Sequence, residues 1–202
     1  SCMKESLRQG KVVTLPQVNT IADGTAVKRP GEKLFPYIQE NVDEIITIDD
    51  NELIVAFLDM VENHKMIVEN SGLLTVAALK HIKAEKKKIV SILSGGNMDV
   101  ITLSSIVQHG LIQRDRVFTV SVLLPDKPGE LARVSSLLAE QHGNIIKLEH
   151  NQFISINRNA AVELRITMEA FGTEHKNQIV TALTDAGYRP KLVKVKGTYS
   201  EM

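Results

Sequence analysis

The pattern of apolar residues changes its period between positions 89 and 112. Residues 89–93 form a short, mostly apolar run after the lysines at 86–88, which predicts a strand buried on both faces. The run ends at Ser-Gly-Gly-Asn, residues 94–97, and apolar residues then recur at helical spacing over 98–112. A strand, a turn of small residues and a helix form half of an α/β unit, whose ligands bind at the carboxyl end of the strand. On spacing alone, a plain tight turn also explains the two glycines.

The residues before position 89 predict more elements of the same kind. Residues 45–48 are apolar and β-branched, which favours a strand. Asp49 or Asp50 is placed to cap the helix that follows, because a short acidic side chain can accept backbone N–H bonds there. Further helices are predicted at residues 3–9, 34–42 and 73–82.

The second half of the chain has a different pattern, beginning with strict alternation over residues 117–124. Charge replaces apolar residues at 114–116, so we place a domain boundary there and predict domains 1–114 and 115–202. The expected elements are strand 117–124, a helix from 130, strands 145–150 and 162–168, helix 174–186 and strand 188–196. The helix from 130 is expected to bury Leu131, Val134, Leu137 and Leu138 and to end at Gly143-Asn144. This βαββαβ order predicts an antiparallel sheet with both helices on one face. We expect its exposed edges near Val117 and Val162.

Composition and charge exclude several classes of function. The 202 residues are 43% hydrophobic, with 24 basic and 24 acidic side chains and one cysteine. Zero net charge gives no indication of nucleic-acid binding, and a single cysteine excludes an internal disulfide framework. No apolar run reaches the length of a membrane span and no signal-peptide pattern is present, so we expect a cytoplasmic protein. His142 and His150 lack the spacing of a zinc site, and we predict no metal site.

Four segments of the first half resemble, in order, the pyridoxal-phosphate threonine dehydratases and serine racemases. They are Thr-Ile-Ala-Asp-Gly at 20–24, Val-Asp-Glu-Ile at 42–45 with Asp-Asn-Glu at 50–52, Val-Glu-Asn-Ser-Gly at 68–72, and Ile-Leu-Ser-Gly-Gly-Asn-Met-Asp-Val at 92–100. In that family the serine hydroxyl of the last segment bonds the pyridine nitrogen of the cofactor. The resemblance therefore implies this role for Ser94, and it implies that Gly95, Gly24 and Glu69 line the same cavity. Asn70 and Ser71 depart from the residues most common in the family.

Two parts of the family's catalytic apparatus do not occur in this sequence. The family attaches pyridoxal phosphate to a lysine within a Ser-x-Lys-x-Arg stretch and holds the phosphate in a loop of four glycines, whereas the longest glycine run here is Gly95-Gly96. The resemblance thus implies the C-terminal half of an α/β enzyme of fold type II. We assign no catalytic residue within this chain and expect it to be inactive alone. The parent would convert L-threonine to 2-oxobutanoate and ammonia.

The second half resembles an ACT domain, the amino-acid-sensing module of many metabolic enzymes. The resemblance is carried by Leu-Pro-Asp-Lys-Pro-Gly-Glu-Leu at 124–131 and Gly-Asn-Ile at 143–145. It implies a ferredoxin-like fold, a homo-oligomer formed through this domain, and an amino acid bound between paired domains. Helix amides near Gly129 can bind a carboxylate, and Asn144 offers an amide. We therefore predict an isoleucine or valine site formed by Asp126, Gly129, Asn144 and Ile145, although both motifs are also ordinary helix-ending signals.

Two alternatives remain open from the sequence. The parent is a serine dehydratase or serine racemase of the same family, or the chain is a non-enzymatic amino-acid sensor with a working ACT domain. Residues upstream of Ser1 discriminate them, since a Ser-x-Lys-x-Arg stretch there restores the enzyme.

Overall fold

The computed structural model describes residues 1–83, 85–151 and 162–193. The backbone divides into two compact units, Ser1–Val107 and Gln108–Met202. The predicted boundary at residue 114 stays a prediction. Within the described residues, none of the helices has both the length and the apolarity that crossing a bilayer requires.

The first unit is built from helices joined by extended segments. Its helices are α1 (Cys2–Gln9), α2 (Phe35–Asn41), α3 (Asp50–Asp59), α4 (Leu74–Ala77) and α5 (Val100–Gln113, which continues into the second unit). Short helical turns lie at Asp23–Thr25, Met60–His64 and Ala78–His81. The prediction that an aspartate caps α3 is confirmed. Asp49 accepts the N–H of Asn51 at 2.8 Å, and Glu52 accepts the N–H of Asp49 at 3.1 Å, which together form a capping box.

The core of this unit forms around α3. Leu53 and Phe57 of α3 are fully buried against Leu73, which precedes α4, and Ile106 of α5 joins the same cluster. Burying a leucine or phenylalanine side chain contributes about 1.5–3 kcal/mol, so this cluster holds the surrounding loops in place.

The two strands predicted in the first half are not formed. Residues 44–49 and 87–99 are without helix or strand, and Val90 and Ile92 are 87% and 72% exposed. A strand needs a neighbour to satisfy its backbone groups, and every strand among the described residues belongs to the second unit. The apolar pattern therefore indicates residues that favour burial. Forming a strand also requires partner strands, and the described part of this unit contains none.

The second unit contains the predicted βαββαβ order. Its elements are β1 (Val117–Leu124), α6 (Glu130–Glu140), β2 (Asn144–Asn151), β3 (Val162–Glu169), α7 (Thr173–Asp185) and β4 (Lys191–Val193). The strands pair antiparallel in the order β2-β3-β1-β4. The inward residues of β1 are buried together with those of β3, α6 and α7 in one core, which confirms the alternation and the single helical face. The last predicted strand extends to residue 196, and residues 194–196 lie outside the described part.

Two predictions for the second unit are wrong in detail. Val117 and Val162 begin the two central strands, whereas the edges are β2 and β4, because each β-α-β crossover passes over one strand position. The left-handed residue that ends α6 is His142, with φ of 58°, and not Gly143 or Asn144. The helix buries Val134 and Leu138 fully, while Leu131 remains 37% exposed.

Candidate functional site

A tight turn at residues 69–72 forms the centre of the candidate site in the first unit. Gly72 is required there, because a Cβ on it would lie 1.8 Å from the carbonyl oxygen of Ser94. The backbone N–H of Glu69 points at the carbonyl of Gly95 at 3.4 Å. The absence of a side chain at position 72 thus allows the segment 94–97 to lie directly on the turn.

The carboxylate of Glu69 lies over the two glycines of that segment. Its Oε2 accepts the backbone N–H of Asn97 at 3.2 Å. Gly95 has φ of +79°, and a Cβ on it would lie 2.0 Å from Glu69 Cδ. Residue 95 therefore has to be glycine both for its backbone conformation and for the space that Glu69 occupies.

A third segment, residues 20–25, lies against the same turn. A Cβ on Gly24 would come within 2.8 Å of Ser71 Oγ and 3.7 Å of Glu69 Oε1. The segment is held by Asp50, whose carboxylate accepts Thr20 Oγ1 at 2.6 Å and the N–H of Ile21 at 3.1 Å. We call these three segments, 20–25, 69–72 and 94–97, the glycine cluster.

The structure thus brings together all four residues predicted to bind the cofactor. Glu69 contacts the segment that contains Ser94 and Gly95, and it lies beside Gly24. Ser94 is exposed at the surface of the cluster. Sequence reasoning noted Asn70 as a departure from the family, and it noted Asp50 as a candidate cap and as part of the family-like segment 50–52, without giving either a role in the site. The signal for both was their place within recognised segments.

Two buried polar atoms in the cluster test whether it fits pyridoxal phosphate. Asn70 Oδ1 and Ser71 Oγ are buried without a hydrogen-bond partner among the described residues, although buried polar groups are normally paired. The spaces beside Gly24 and Gly95 are filled by Ser71 and Glu69, whereas a Cβ on Gly96 would meet nothing within 4 Å, so a planar ring can approach the backbone at Gly96. The open backbone at Gly96, the exposed hydroxyl of Ser94 and the carboxylate of Glu69 fit the ring of the cofactor. The described residues hold no cluster of three or more histidine, cysteine, aspartate or glutamate side chains suited to a metal.

A groove in the second unit contains two of the predicted effector residues. It has a volume of about 340 Å³ and is lined by Leu124, Pro125, Asp126, Lys127, Pro128, Gly129, Glu130, Leu131 and His150. Gly129 is the N-cap of α6 and has φ of 93°. The groove therefore combines the N-terminus of α6, which favours a carboxylate, with the acidic side chains of Asp126 and Glu130, which favour an ammonium group.

Asn144 and Ile145 lie away from this groove within the same chain. Asn144 begins β2, whereas His150, which lines the groove, lies near its end, about 20 Å away at 3.3 Å per residue. Asn144 Nδ2 donates to Glu169 Oε2 at 2.8 Å, and Ile145 packs against the core. One chain alone therefore does not assemble the four predicted effector residues, and sequence reasoning did not assign Glu130 or His150 to the site.

Glu130 is fixed at the wall of the groove by Tyr188. The hydroxyl of Tyr188 donates to Glu130 Oε2 at 3.1 Å, and Arg133 lies 5.9 Å from the centre of the Tyr188 ring. Burial of the hydroxyl and its bond to the Glu130 carboxylate raise the pKa of Tyr188, since both disfavour a second negative charge. Tyr188 thus remains a donor and orients a carboxylate that borders the groove.

Comparison with known proteins identifies both halves of the chain. Residues 1–95 match the family model of pyridoxal-phosphate dependent enzymes, and residues 118–188 match the ACT domain. The L-threonine ammonia-lyase of Geobacter sulfurreducens is 36% identical over 191 residues, covering 94% of this chain and 48% of that protein. The biosynthetic L-threonine dehydratase of Salmonella typhimurium is 30% identical, covering 93% of this chain and 36% of that protein.

A solved structure, the processed form of threonine deaminase isoform 2 from Solanum lycopersicum, is 32% identical to the chain. The structural match covers 54% of this chain and 33% of the threonine deaminase chain, with a TM-score of 0.49. The chain spans about half the length of the first curated relatives it matches. The order of the two family matches confirms both resemblances found in the sequence. The chain belongs to the pyridoxal-phosphate-dependent enzymes through residues 1–95 and carries an ACT domain at residues 118–188.

Proposed function

We propose that this chain is the C-terminal half of a threonine ammonia-lyase, which converts L-threonine to 2-oxobutanoate and ammonia. The first curated relatives are about twice as long as this chain. We use the term "complete protein" for this chain joined to the half that those relatives contain in addition. The observation that carries the proposal is the glycine cluster, where Gly24, Glu69 and Gly95 meet within the segment that matches the pyridoxal-phosphate family. The names of the relatives support threonine as the substrate.

Bound pyridoxal phosphate supplies an electron-withdrawing ring that stabilises negative charge on the substrate. The chain's own residues would hold that ring. The backbone at Gly96 is open to one of its faces, and the exposed hydroxyl of Ser94 would bond the ring nitrogen as a neutral donor. Because Glu69 is anchored on the N–H of Asn97, its carboxylate has a fixed place in the cluster and would lie beside the ring.

The complete protein also accounts for the two extended segments of the first unit. Residues 45–48 and 89–93 carry strand-like apolar sequence but no strand partner among the described residues. We propose that strands of the other half pair with them. Exposed side chains such as Val90 and Ile92 would then be buried. The same half would supply the lysine and the phosphate-binding loop.

We further propose that the second unit binds an amino acid, isoleucine or valine, in a homodimer. The groove beside Gly129 offers amides and carboxylates for the backbone groups of a free amino acid, and Leu131 offers apolar contact. Antiparallel pairing of β2 with its copy about a twofold axis would place the partner's Asn144 near the His150 end of this chain's β2. This arrangement would reunite the four predicted effector residues.

Turnover of the complete protein with pyridoxal phosphate tests the proposed reaction. We expect release of 2-oxobutanoate from L-threonine at a higher kcat/KM than release of pyruvate from L-serine. A preference for L-serine would favour a serine dehydratase, and production of D-serine would favour a racemase. Amino-acid binding without turnover of either substrate would favour the sensor and contradict the proposal.

A further inference from the structure

Side chains bind both backbone polar groups of Ile21. Its N–H donates to Asp50 Oδ2 at 3.1 Å, and its carbonyl accepts Asn70 Nδ2 at 2.9 Å. Asp50 is the first residue of α3, and Asn70 belongs to the turn at 69–72. Segment 20–25 is thus clamped between two elements that are far apart in sequence.

The side chain of Asn70 is buried in a defined orientation. The side chain is 5% exposed, and its Oδ1 has no partner among the described residues. The amide has a defined orientation, because a flipped side chain would bring Oδ1 against the carbonyl oxygen of Ile21. Leaving a buried amide oxygen unpaired destabilises a protein. The asparagine offsets that cost through the bond that its Nδ2 makes to the carbonyl of Ile21.

The bond to Ile21 sets the position of Gly24, three residues later. Gly24 lies so close to Ser71 that a Cβ would come within 2.8 Å of its hydroxyl, and such a Cβ would be 3.7 Å from Glu69 Oε1. The turn that carries Asn70 also carries Ser71 and Glu69. One side chain therefore links the segment of Gly24 to the turn of Glu69 and fixes the separation between them.

We propose that Asn70 is a positioning residue that holds the segment of Gly24 against the turn of Glu69, so that the residues proposed to hold the cofactor keep their arrangement before it binds. This inference rests on the proposed function for the identity of the ligand. The clamp itself depends only on residues of this chain. Asn70 acts through Ile21 and touches no reacting atom.

Hydrogen exchange on the 202-residue chain tests the clamp. The amides of Ala22, Thr25 and Ala26 are hydrogen-bonded within the segment. In Asn70→Ala we expect exchange in a peptide covering residues 20–26 to rise about fivefold to tenfold, the effect of one lost hydrogen bond. Exchange in α3 should stay unchanged. An equal rise in both regions would show a purely structural role and overturn the proposal.

Two further variants keep this test decisive. Asn41→Ala is the matched control, because Asn41 Nδ2 also donates to a backbone carbonyl at 2.9 Å, that of Tyr37, but on the exposed surface of α2. It should leave residues 20–26 unaffected. If Asn70→Ala does not fold, Asp50→Asn weakens the other side of the clamp with little change of shape, because an amide has one acceptor oxygen for the two bonds that the Asp50 carboxylate accepts. It should loosen the same peptide, and unchanged exchange there would contradict the clamp.

Affinity for pyridoxal phosphate in the complete protein tests the link to the cofactor. We expect Asn70→Ala to raise the Kd about fivefold to tenfold and Asn41→Ala to leave it unchanged. If wild type binds and Asn70→Ala binds equally well, the positioning role is wrong while the proposed function stands. If wild type does not bind, the proposed function is wrong and the assignment of the clamp to the cofactor is overturned with it.

Discussion

The carboxylate of Glu69 occupies the space that a side chain on Gly95 would need. A Cβ on Gly95 would lie 2.0 Å from Glu69 Cδ and 2.3 Å from each carboxylate oxygen. The same carboxylate accepts the N–H of Asn97. The missing side chain at position 95 and the fixed carboxylate at position 69 are therefore two parts of one arrangement, and the proposed ring site depends on both.

Gly95→Ala should destabilise the first unit by about 2 kcal/mol or more. The added methyl group faces both a left-handed backbone and a carboxylate that has to move. Thermal unfolding of the 202-residue chain measures the effect. Gly96→Ala is the matched control, since a Cβ there meets nothing within 4 Å and its φ lies outside the left-handed range. Equal midpoints for the two variants would contradict the arrangement.

The elements that the sequence predicted well are those whose signal is local. Alternation over Val117–Leu124 needs only the neighbouring strand and helices of the same unit, and these are present. The cap at Asp49 is made by residues within three positions. The prediction that Gly24, Glu69 and Gly95 lie together rested on the family resemblance. Residue spacing alone could not show that glycines distant in sequence lie beside one carboxylate.

The predictions that failed depend on partners that local patterns do not specify. Residues 89–93 have the sequence of a buried strand, but pairing is a property of the neighbouring chain segments. The edges of the sheet follow from the crossovers and not from any one strand. Asn144 is separated from the groove at Gly129 by the length of β2. That length could be read from the sequence, but the resemblance of short motifs does not take it into account.

The ion pair between Asp115 and Lys176 should make the second unit sensitive to acid. Lys176 Nζ lies 2.7 Å from Asp115 Oδ1, and the hydroxyl of Thr173 donates to Oδ2 at 2.8 Å. The cation, assisted by that hydroxyl, lowers the pKa of Asp115 in the folded state. A carboxyl with a lowered pKa stabilises the fold above its unfolded pKa of about 4, and this contribution is lost as pH falls through the folded value.

Unfolding free energies of wild type and Asp115→Asn against pH measure this contribution. Asparagine keeps the size and tolerates the positive φ of 55° at this position. The difference should be at most about 1 kcal/mol above pH 5 and shrink below pH 4. Lys176→Met should remove the same pH-dependent contribution to the unfolding free energy. The double variant, with both Lys176→Met and Asp115→Asn, should therefore show no further loss of pH dependence. A constant difference between pH 7 and pH 2 would rule out the ion pair as its cause.

The second unit should form a dimer through the edge strand β2. This strand pairs on one side only, with β3, and Ile146 is 52% exposed at an irregularity in its register. Ile146→Lys should therefore shift the chain towards monomer in light scattering at micromolar concentration. Leu192→Lys is the matched control on the opposite edge, since Leu192 is also 52% exposed. A monomeric wild type, or a monomer only with Leu192→Lys, would contradict this interface.

Isoleucine or valine should bind the chain in calorimetry, with only about fourfold discrimination between them. One methylene is worth about 0.8 kcal/mol. Asn144→Ala should weaken binding about tenfold or more, because it removes a hydrogen bond to a charged group. Asn177→Ala, on the exposed surface of α7, should change nothing. Absence of binding at millimolar amino acid, or equal affinity in Asn144→Ala, would show that the effector site is wrong.

The most direct test of the account is turnover of L-threonine by the complete protein carrying Ser94→Ala. We expect the chain alone to be inactive and the wild-type complete protein to release 2-oxobutanoate. Ser94→Ala should lower kcat and shift the absorption band of the cofactor, with little change in unfolding, since one neutral hydrogen bond is worth about 0.5–1.5 kcal/mol. Ser91→Ala is the control, because Ser91 lies three residues before Ser94 in the same extended stretch, residues 87–99, and its hydroxyl donates to the Thr75 carbonyl at 3.4 Å. Unchanged turnover and an unchanged band in Ser94→Ala would contradict the account.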